Sequence, residues 1–445
     1  MATTYLTRTF GSPTNRKIFT WSAWVKRQNF GITENNNALF SGYLNSSVRS
    51  TLRFNTDKLN FQDTEGSVEI ITNRLFRDVN AWYHIVVAVD TTQATASNRV
   101  KFYVNGEQET SFAQADYPAQ NSNLLMGGND IHYINARNAS GSVDSIDDMC
   151  YSHIHFTDGT AYDASYFGST DSTTGEWQIN TSPSVTYGNN GFFILKDGNS
   201  VTDQSGNSNN WTVGGGTLTN TEDCPSNVFA TWNPLDGYVS HMVFSNGNNT
   251  VDFGSTNTTK SYPRSTIGVA SGKWYFEVLN VVNTNGQSVG ITDRSSPSTT
   301  HELGYDPYEY AYLNNGDLIN NSSSSSYANT YTSSDIIGVA LDLDNNKLYF
   351  SKNGTWQNSG DPTSGATGTG AISITAPSST NNGFYFFAVG EYSGTQNPTW
   401  SANFGNGYFG TTAVSSAGTN ASGIGIFEYD VPTGYTALST KGLNL

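Results

Sequence analysis

The feature that most constrains this chain is a strict alternation of apolar and polar residues in short segments, with almost no helical periodicity. In the first such segment, Phe19, Trp21, Ala23 and Val25 occupy every second position. The same period recurs in the segments 83–89, 100–104, 274–278, 337–343 and 348–350. Successive side chains of a β-strand point to opposite faces, so each segment predicts a strand with one buried face.

Turn signals between these segments set the architecture. Asn105-Gly106 directly follows the segment 100–104, and Asn353-Gly354 follows the segment 348–350 after two residues. Asn-Gly is a strong signal for a two-residue hairpin. Many short strands without long helices are typical of sandwiches and barrels. A length of 445 residues favours two or three domains. The sequence therefore predicts an all-β fold of tandem antiparallel sandwiches.

Composition excludes several classes of partner. Only 13% of the residues are charged, and the formal net charge is -16. Nucleic acid and anionic membrane surfaces both require clustered Lys and Arg, and no basic stripe is visible in the sequence. The residues after Met1 form no hydrophobic signal region, and no apolar run approaches ~18 residues. We therefore expect no nucleic-acid binding, no membrane insertion, and synthesis in a cytoplasm without a signal peptide.

The chain contains two cysteines, Cys150 and Cys224. A small secreted domain is usually stapled by more disulfides than two cysteines can form, which favours synthesis in a reducing compartment. The two thiols could form a disulfide only if the fold brings their Cα atoms within bridging distance, and the sequence leaves that open.

The first half resembles a known module family. The segment 19–25 (FTWSAWV) resembles the first core strand of laminin-G-like, concanavalin A-like modules. The segments 82–87 and 100–106 are similar to the central hairpin of that family, and 141–148 to its closing strand. The segment 203–209 resembles the start of such modules, although here it follows the others. Two interpretations stay open for this segment: a permuted strand order, or a strand of the connector.

The second half resembles SPRY domains. The segment 272–278 (GKWYFEV) is similar to their opening strand. The segments 336–344 (IIGVALDLD) and 347–354 (KLYFSKNG) are similar to their signature hairpin. Both families are β-sandwiches, so the resemblance implies two tandem antiparallel jelly-roll, concanavalin A-like sandwiches. We expect a laminin-G-like module over 1–168, a connector with returning strands over 169–233, and a SPRY-like module over 234–445.

The pairing of these modules resembles surface proteins of tailed, especially marine, bacteriophages. The resemblance implies a tail-fibre or other receptor-binding protein located on the virion. Its expected partners are other virion proteins and a host surface glycan, and by analogy the chain would form a homo-oligomer, a trimer. Two alternatives stay open: a structural capsid decoration or tail scaffold protein, and a polysaccharide depolymerase.

Candidate catalytic and metal residues are few. Glycoside hydrolysis needs two carboxylates flanking the scissile bond, and no Glu-x-Asp-x-x-Glu arrangement occurs in the chain. We therefore predict no catalytic residues and no enzyme. The nearest carboxylates, Asp144, Asp147 and Asp148, have two interpretations: solvated turn residues, or oxygen ligands of a calcium ion. Calcium is accordingly the one cofactor that we consider, and none is required.

Candidate binding residues are mainly aromatic. Carbohydrate sites stack sugar rings on aromatic side chains and bind hydroxyl groups with amides and carboxylates. Tyr308, Tyr310 and Tyr312 alternate in one segment close to Asn314, and Trp356 follows a hairpin turn. We predict a carbohydrate site from these five residues. The alternative is that the tyrosines, which share one face of a strand, face the core.

Overall fold

The computed structural model describes residues 3–28, 37–138, 140–196, 198, 200–236, 241–254, 260, 262–294, 301–391 and 397–444. The chain divides into two compact units: residues 1–220 with 224–226, and residues 221–223 with 227–445. Each unit is a sandwich of almost entirely antiparallel sheets, so the predicted all-β class is confirmed. Short 3₁₀ helices occupy Ala96–Asn98, Leu125–Gly127, Ala164–Tyr166, Gln357–Ser359, Pro362–Thr367, Pro377–Ser379 and Gly442–Asn444.

The first unit contains the strands β1 (Tyr5–Thr9), β2 (Ile18–Arg27), β3 (Ala38–Tyr43), β4 (Arg49–Asn55), β5 (Lys58–Asp63), β6 (Val68–Thr72), β7 (Trp82–Asp90), β8 (Val100–Val104), β9 (Glu107–Gln108), β10 (Phe112–Asp116), β11 (Ile131–Ile134), β12 (Arg137–Asn138), β13 (Val143–Asp144), β14 (Met149–Asp158), β15 (Gly168–Thr170), β16 (Trp177–Ile179), β17 (Phe192–Ile194) and β18 (Thr212–Gly215). An eight-stranded sheet has the order β10-β6-β5-β4-β3-β11-β1-β18. A six-stranded sheet has the order β17-β14-β2-β7-β8-β9. The inward positions of both sheets form one apolar core.

The predicted hairpin at Asn105-Gly106 is present between β8 and β9. Both residues have positive φ, 48° and 85°, as the two-residue turn requires. The ring of Trp177 lies over this turn, so a Cβ at Gly106 would be 2.4 Å from that ring. Glycine is therefore required at position 106 by conformation and by space together.

The segment 191–215 supplies two strands to the first sandwich. β17 pairs with β14, and β18 pairs with β1 at the edge of the eight-stranded sheet. Phe192 and Trp211 are buried in the core, with their rings 5.0 Å apart. The segment 203–209 forms no strand, so the structure supports neither of the two strand interpretations left open for it. The loop in which it lies joins two strands of the first unit.

The two cysteines do not form a disulfide. The Gln28 amide donates a hydrogen bond to the Cys150 sulfur at 3.4 Å, and the Cys224 sulfur lies 3.4 Å from the Ser226 hydroxyl. The first unit is therefore held together by its apolar core and its sheets.

The second unit contains the strands β19 (Val243–Ser245), β20 (Thr250–Asp252), β21 (Lys273–Val282), β22 (Gln287–Thr292), β23 (Tyr310–Leu313), β24 (Asp317–Asn320), β25 (Ser323–Ser326), β26 (Ile336–Asp342), β27 (Lys347–Lys352), β28 (Thr355–Trp356), β29 (Ile372–Ser373), β30 (Phe386–Glu391), β31 (Thr399–Asn403), β32 (Tyr408–Phe409), β33 (Thr412–Ala413) and β34 (Thr436–Ala437). One sheet follows the order β19-β20-β31-β21-β26-β27-β28, with β29 paired to β27 and β34 paired to β21. The facing sheet has the order β25-β24-β23-β22-β30. Their inward residues form the second core.

A buried carboxylate on β21 fastens the C-terminal segment to the outer face of the larger sheet. Glu277 is fully buried and accepts hydrogen bonds from the backbone N–H groups of Glu428 and Tyr429 at 2.8 and 2.9 Å. The Tyr275 hydroxyl donates a third hydrogen bond at 2.9 Å. Burial raises the pKa of Glu277 from 4.5 to about 7, and the nearby Glu428 carboxylate adds to the rise.

Trp211→Ala is expected to destabilise the first unit. Removing a buried Trp side chain deletes apolar contacts and leaves a cavity, which costs about 3–5 kcal/mol. Urea unfolding followed by circular dichroism measures the change, and Tyr166→Ala, at an exposed tyrosine of the same unit, is the control. Equal stability of the two variants would contradict the assignment of the segment 191–215 to this core.

The second unit is expected to lose stability as the pH rises from about 4.5 to about 7. In this window folded Glu277 holds a proton that the unfolded chain has lost, so the unfolding free energy falls as the pH rises. The slope from one such group is at most about 1.4 kcal/mol per pH unit. Calorimetric unfolding at pH 5, 6 and 7.5 should show a smaller pH dependence in Glu277→Gln than in the wild type. The same pH dependence in both proteins would show that Glu277 does not titrate here.

Candidate binding site

The predicted tyrosines divide between the core and the surface. On β23 the even-numbered residues face inward, and Tyr310 and Tyr312 are both buried in the second core. The Tyr312 hydroxyl donates to the backbone oxygen of Asn329, and the side chain is 0% exposed. The prediction that these two rings bind sugar is wrong. The period of two placed them on one face correctly, but that face is the one that packs against the opposite sheet.

Asn314 and Trp356 lie away from Tyr308. Asn314 follows the other end of β23 from Tyr308, and its amide donates to the Asn283 side chain and to the Thr284 backbone oxygen. Trp356 lies on β28 of the larger sheet, where it packs against Tyr275 and other aromatic residues. The five predicted carbohydrate-binding residues therefore do not form one site, because they belong to different ends and different sheets of the sandwich.

Two of the candidate calcium ligands, Asp144 and Asp147, accept hydrogen bonds from neighbouring groups of the protein. Asp144 accepts a hydrogen bond from the Arg137 guanidinium at 2.8 Å, and one Asp147 oxygen accepts the backbone N–H of Asp148 at 2.8 Å. Within the ranges that the structure describes, no group of three or more His, Cys, Asp and Glu side chains is arranged to hold a metal ion. These residues therefore provide no set of ligands for the predicted calcium ion.

A buried serine and histidine in the first unit have the contact that nucleophilic catalysis would need. The Ser22 hydroxyl lies 2.9 Å from His84 Nε2, and the Trp177 indole N–H donates to His84 Nδ1 at 3.0 Å. Nδ1 is therefore the acceptor, so Nε2 carries the proton and donates it to Ser22. Burial lowers the His84 pKa to about 3. A histidine that already donates to the serine cannot accept its proton, so this contact is structural.

An open cleft lies where β22, β23 and the loop before β30 meet. Its volume is about 540 Å³. The side chains that line it are Asp293, Arg294, Asp306, Pro307, Tyr308, Asn381 and Asn382. Tyr308 is half-buried: it packs against the second core and also lines the cleft. Of the five predicted carbohydrate-binding residues, it is the one that belongs to this cleft.

Glu309, directly beside Tyr308, holds the wall of the cleft in place. It is buried, and it accepts the Tyr262 hydroxyl at 2.5 Å and the Thr292 hydroxyl at 3.2 Å. Its second oxygen accepts the backbone N–H groups of Gly304 and Asp306 at 3.1 and 3.2 Å. Burial raises the pKa of Glu309, and these hydrogen bonds oppose the rise. One carboxylate thus connects β22, β23 and the loop between them.

The charged groups of the cleft are largely paired with one another. Arg294 forms an ion pair with Asp306, and its Nε also lies 3.3 Å from a Glu309 oxygen. Asp293 accepts the backbone N–H of Asn381 at 3.0 Å, and the Asn382 amide donates to the Asp293 backbone oxygen at 2.8 Å. The loop 381–382 is therefore tied to the end of β22. The arrangement offers hydrogen-bond donors and acceptors on rigid walls beside an aromatic ring.

Sequence reasoning located one residue of this cleft and missed most of the others. Tyr308 was identified because it belongs to a tyrosine run. Asp293, Arg294 and the pair Asn381 and Asn382 lie in loops far apart in the chain and carry no motif. The feature that these residues share is that each lies just after or just before a strand of the same sheet.

Comparisons with known families agree with the two modules. Residues 2–147 match the concanavalin A-like lectin/glucanases superfamily, in its laminin-G-type family, and residues 273–387 match the SPRY domain. Both are β-sandwich families, and both predicted resemblances are confirmed at this level. Domains of these two kinds are usually non-catalytic binding modules, which suggests a binding role for this chain and does not establish that it catalyses no reaction.

Individual relatives are distant. The chain is 35% identical over 91 residues to the ATP-dependent RNA helicase DDX1 of Xenopus laevis, a match that spans 20% of this chain and 12% of the helicase. The SPRY domain of human HERC1 is 18% identical, with a TM-score of 0.31, covering 38% of this chain and 96% of that domain. Stonustoxin is 19% identical, with a TM-score of 0.29, covering 39% of this chain and 27% of the toxin.

Within the described residues no helix is long and apolar enough to cross a membrane.

Glu309→Ala is expected to lower the unfolding free energy by about 3 kcal/mol or more. The substitution leaves two backbone N–H groups and two hydroxyl groups without their acceptor, and each unsatisfied buried group costs about 1–3 kcal/mol. Urea unfolding measures the loss. The matched control is Glu176→Ala, at an exposed glutamate, for which a change within about 0.5 kcal/mol is expected. Equal stability of the two variants would contradict the role of Glu309.

Proposed function

We propose that the chain is a non-enzymatic recognition protein of a phage virion surface, and that it binds a host-cell glycan in the cleft of its second unit. The observation that supports this proposal is the cleft itself, which combines an aromatic side chain with a polar wall held by Glu309. The two modules, each of a kind that usually binds partners, support the coarser part of the proposal.

The chemistry of the lining favours a glycan. Sugar hydroxyl groups both donate and accept hydrogen bonds, and the carboxamides of Asn381 and Asn382 can do the same. Carboxylate oxygens of Asp293 and Asp306 add acceptors, and the ring of Tyr308 offers an apolar surface for the C–H face of a sugar ring. The walls are fixed before a ligand arrives, which reduces the ordering cost of binding.

The charge distribution disfavours an acidic sugar. Among the described residues that line the cleft, Arg294 is the one cation, and it is already engaged by Asp306 and lies close to Glu309. A ligand carboxylate or phosphate would face Asp293 and Asp306 without a free cation to pair with. The proposed ligand is therefore a neutral glycan or one that carries an amino group.

The virion location is supported by the resemblance of the module pairing to phage surface proteins. A homo-oligomer, a trimer by analogy, and contacts with other virion proteins belong to the same proposal. Exposed edge strands such as β25 would be available for such contacts.

Two other functions make different predictions. A capsid decoration or tail scaffold protein would bind virion proteins and no glycan. A depolymerase would release oligosaccharides, and two aspartates in one cleft are the residue type that such chemistry uses. Neither alternative has a further observation in its favour.

The test is a glycan-array screen of the purified protein, together with binding to isolated host envelope polysaccharide, with and without calcium. We expect saturable binding to a neutral or amino-containing glycan and no released product. Tyr308→Ala should weaken binding at least about tenfold, the effect of losing one aromatic anchor. Tyr166→Ala, at an exposed tyrosine of the first unit, should bind like the wild type.

The outcomes separate the three functions. Release of oligosaccharide by the wild type, abolished in Asp293→Asn, would replace the proposal with a depolymerase. Absence of binding to every glycan and to the host polysaccharide would favour the structural role. Equal loss of binding in Tyr308→Ala and Tyr166→Ala would place the glycan site outside the cleft.

A further inference from the structure

We infer that residues 163–185, the cover loop, form a pH-sensitive lid on the outer face of the six-stranded sheet in the first unit. The cover loop opens more often as the pH falls, because opening allows two buried histidines, His84 and His155, to take up protons. This inference concerns the first unit and is independent of the proposed glycan cleft, which lies in the second.

The cover loop is a separate piece of structure whose two ends meet at its base. Its strands β15 and β16 pair with each other in a two-stranded sheet of their own. At the base, the backbone N–H of Thr186 donates to the Tyr162 hydroxyl at 2.9 Å, and the backbone N–H of Asp158 donates to the Tyr187 backbone oxygen at 2.7 Å. A loop that is closed in this way can lift without separating the strands beneath it.

One hydrogen bond joins the cover loop to that sheet. The Trp177 indole N–H donates to His84 Nδ1 at 3.0 Å. Among the residues that the structure describes, every other hydrogen bond of the cover loop lies within the loop itself. The remaining attachment is apolar packing, in which Ala164 and Phe167 contact Val86 on the sheet. Local opening is therefore opposed by one hydrogen bond and a small apolar contact.

Both histidines lie under the cover loop and are uncharged while it is closed. The His84 ring stacks against Trp177 with centroids 5.9 Å apart, and the His155 ring is 5.1 Å from the Phe167 ring. Both side chains are buried. Burial lowers the pKa of His84 to about 3 and holds the pKa of His155 well below its usual value.

A proton on His84 is incompatible with the closed loop. The indole N–H is a donor and has no acceptor atom, and the other histidine nitrogen, Nε2, already donates to Ser22 at 2.9 Å. Protonation would put a second N–H at Nδ1, 3.0 Å from the indole nitrogen of Trp177. Two donors that face each other cannot form a hydrogen bond, so protonation breaks the one that closes the loop.

The surroundings offer neither histidine a counter-charge. For His155, the His153 and His84 rings add to the effect of burial on its pKa, and Tyr187 contributes a hydroxyl 3.0 Å from Nδ1. Among the described residues, no carboxylate forms an ion pair with either ring. The titratable and charged groups of the elements packed around the two rings are Lys26 on β2, Lys101 and Tyr103 on β8, His153 on β14, Lys196 after β17, Tyr162 and Tyr187 at the base, and Asp163, Tyr166, Asp171 and Glu176 in the cover loop.

Proton uptake gives the opening a defined pH dependence. A histidine exposed by opening regains a pKa near about 6.5, so below that pH the open form binds a proton that the closed form does not. The equilibrium constant for opening then rises about tenfold per pH unit for one histidine and about a hundredfold for two. Because Tyr187 at the base still contacts His155, we expect a slope between these limits. Above about pH 6.5 opening should be independent of pH.

The test is the exchange of the Trp177 indole proton with deuterated water, followed by NMR on the full chain with nitrogen-15 in its tryptophans. This proton exchanges when its hydrogen bond to His84 breaks, and the signal that disappears in Trp177→Phe assigns it. Rates are divided by that of free indole at each pH to give a protection factor. We expect a constant protection factor above about pH 6.5 and a fall of at least about tenfold between pH 6 and pH 5.

Two variants and one internal signal serve as controls. His84→Gln keeps an acceptor for Trp177 but cannot titrate, so the slope should fall by about tenfold per pH unit. His132→Gln changes a buried histidine that stacks on Phe10 in the core, away from the cover loop, and should leave the slope unchanged. The indole proton of Trp21, fully buried in the same core, reports opening of the whole unit and should stay better protected than that of Trp177.

The wild-type profile decides even if a variant fails to fold. Protection of Trp177 that does not change between pH 7.5 and pH 5 contradicts the inference. Equal protection of Trp177 and Trp21 at every pH would mean that the whole unit opens, which also contradicts a separate lid. An unchanged slope in His84→Gln would overturn the role of His84, and a reduced slope in His132→Gln would show that the effect does not belong to the histidines under the cover loop.

Discussion

The structure depends on one constraint, which is that successive side chains of a strand point to opposite faces of its sheet. In both units the inward faces of two sheets meet and their apolar side chains form the main core, and parts of the outer faces are covered by further segments, as Tyr275 and Tyr349 are by Phe427 and Tyr435. This constraint decides where a ligand can bind. The side chains on the inward face of a strand are buried in the core, as Tyr310 and Tyr312 are. Groups free to recognise a ligand lie where the strands end, and the cleft of the second unit forms at such a place.

Buried carboxylates connect the loops to the sheets. Glu277 binds two backbone N–H groups of the C-terminal segment, and Glu309 binds two backbone N–H groups of the loop before β23. In each case burial disfavours the ionised form of the carboxyl group and raises its pKa, and the hydrogen-bond donors around it offset part of that cost. Loops held in this way keep their shape without a ligand. For the cleft, this means that Arg294 and Asp306 are in place before binding.

The sequence predicts the fold much better than the site. Period-two alternation, Asn-Gly turns and the family resemblances predict strands such as β7, β8, β26 and β27, and the structure contains them. These signals are local, so each one can be recognised within a single short segment of the sequence. The site is non-local: Asp293, Asp306 and Asn382 come together because β22, β23 and β30 are neighbours in one sheet. The order of strands within a sandwich cannot be derived from the alternation of apolar and polar residues. Alternation also cannot separate Tyr308 from Tyr310, because the two differ only in that Tyr308 lies beyond the end of the strand.

The central claim is that the cleft of the second unit binds a glycan, and the most direct measurement is a crystal structure of the protein with an oligosaccharide from the host envelope polysaccharide. The account predicts sugar rings in the cleft, in contact with Tyr308, with hydroxyl groups bound by Asp293 or Asn382. Sugar bound elsewhere, for example on the first unit with the cleft empty, would contradict it.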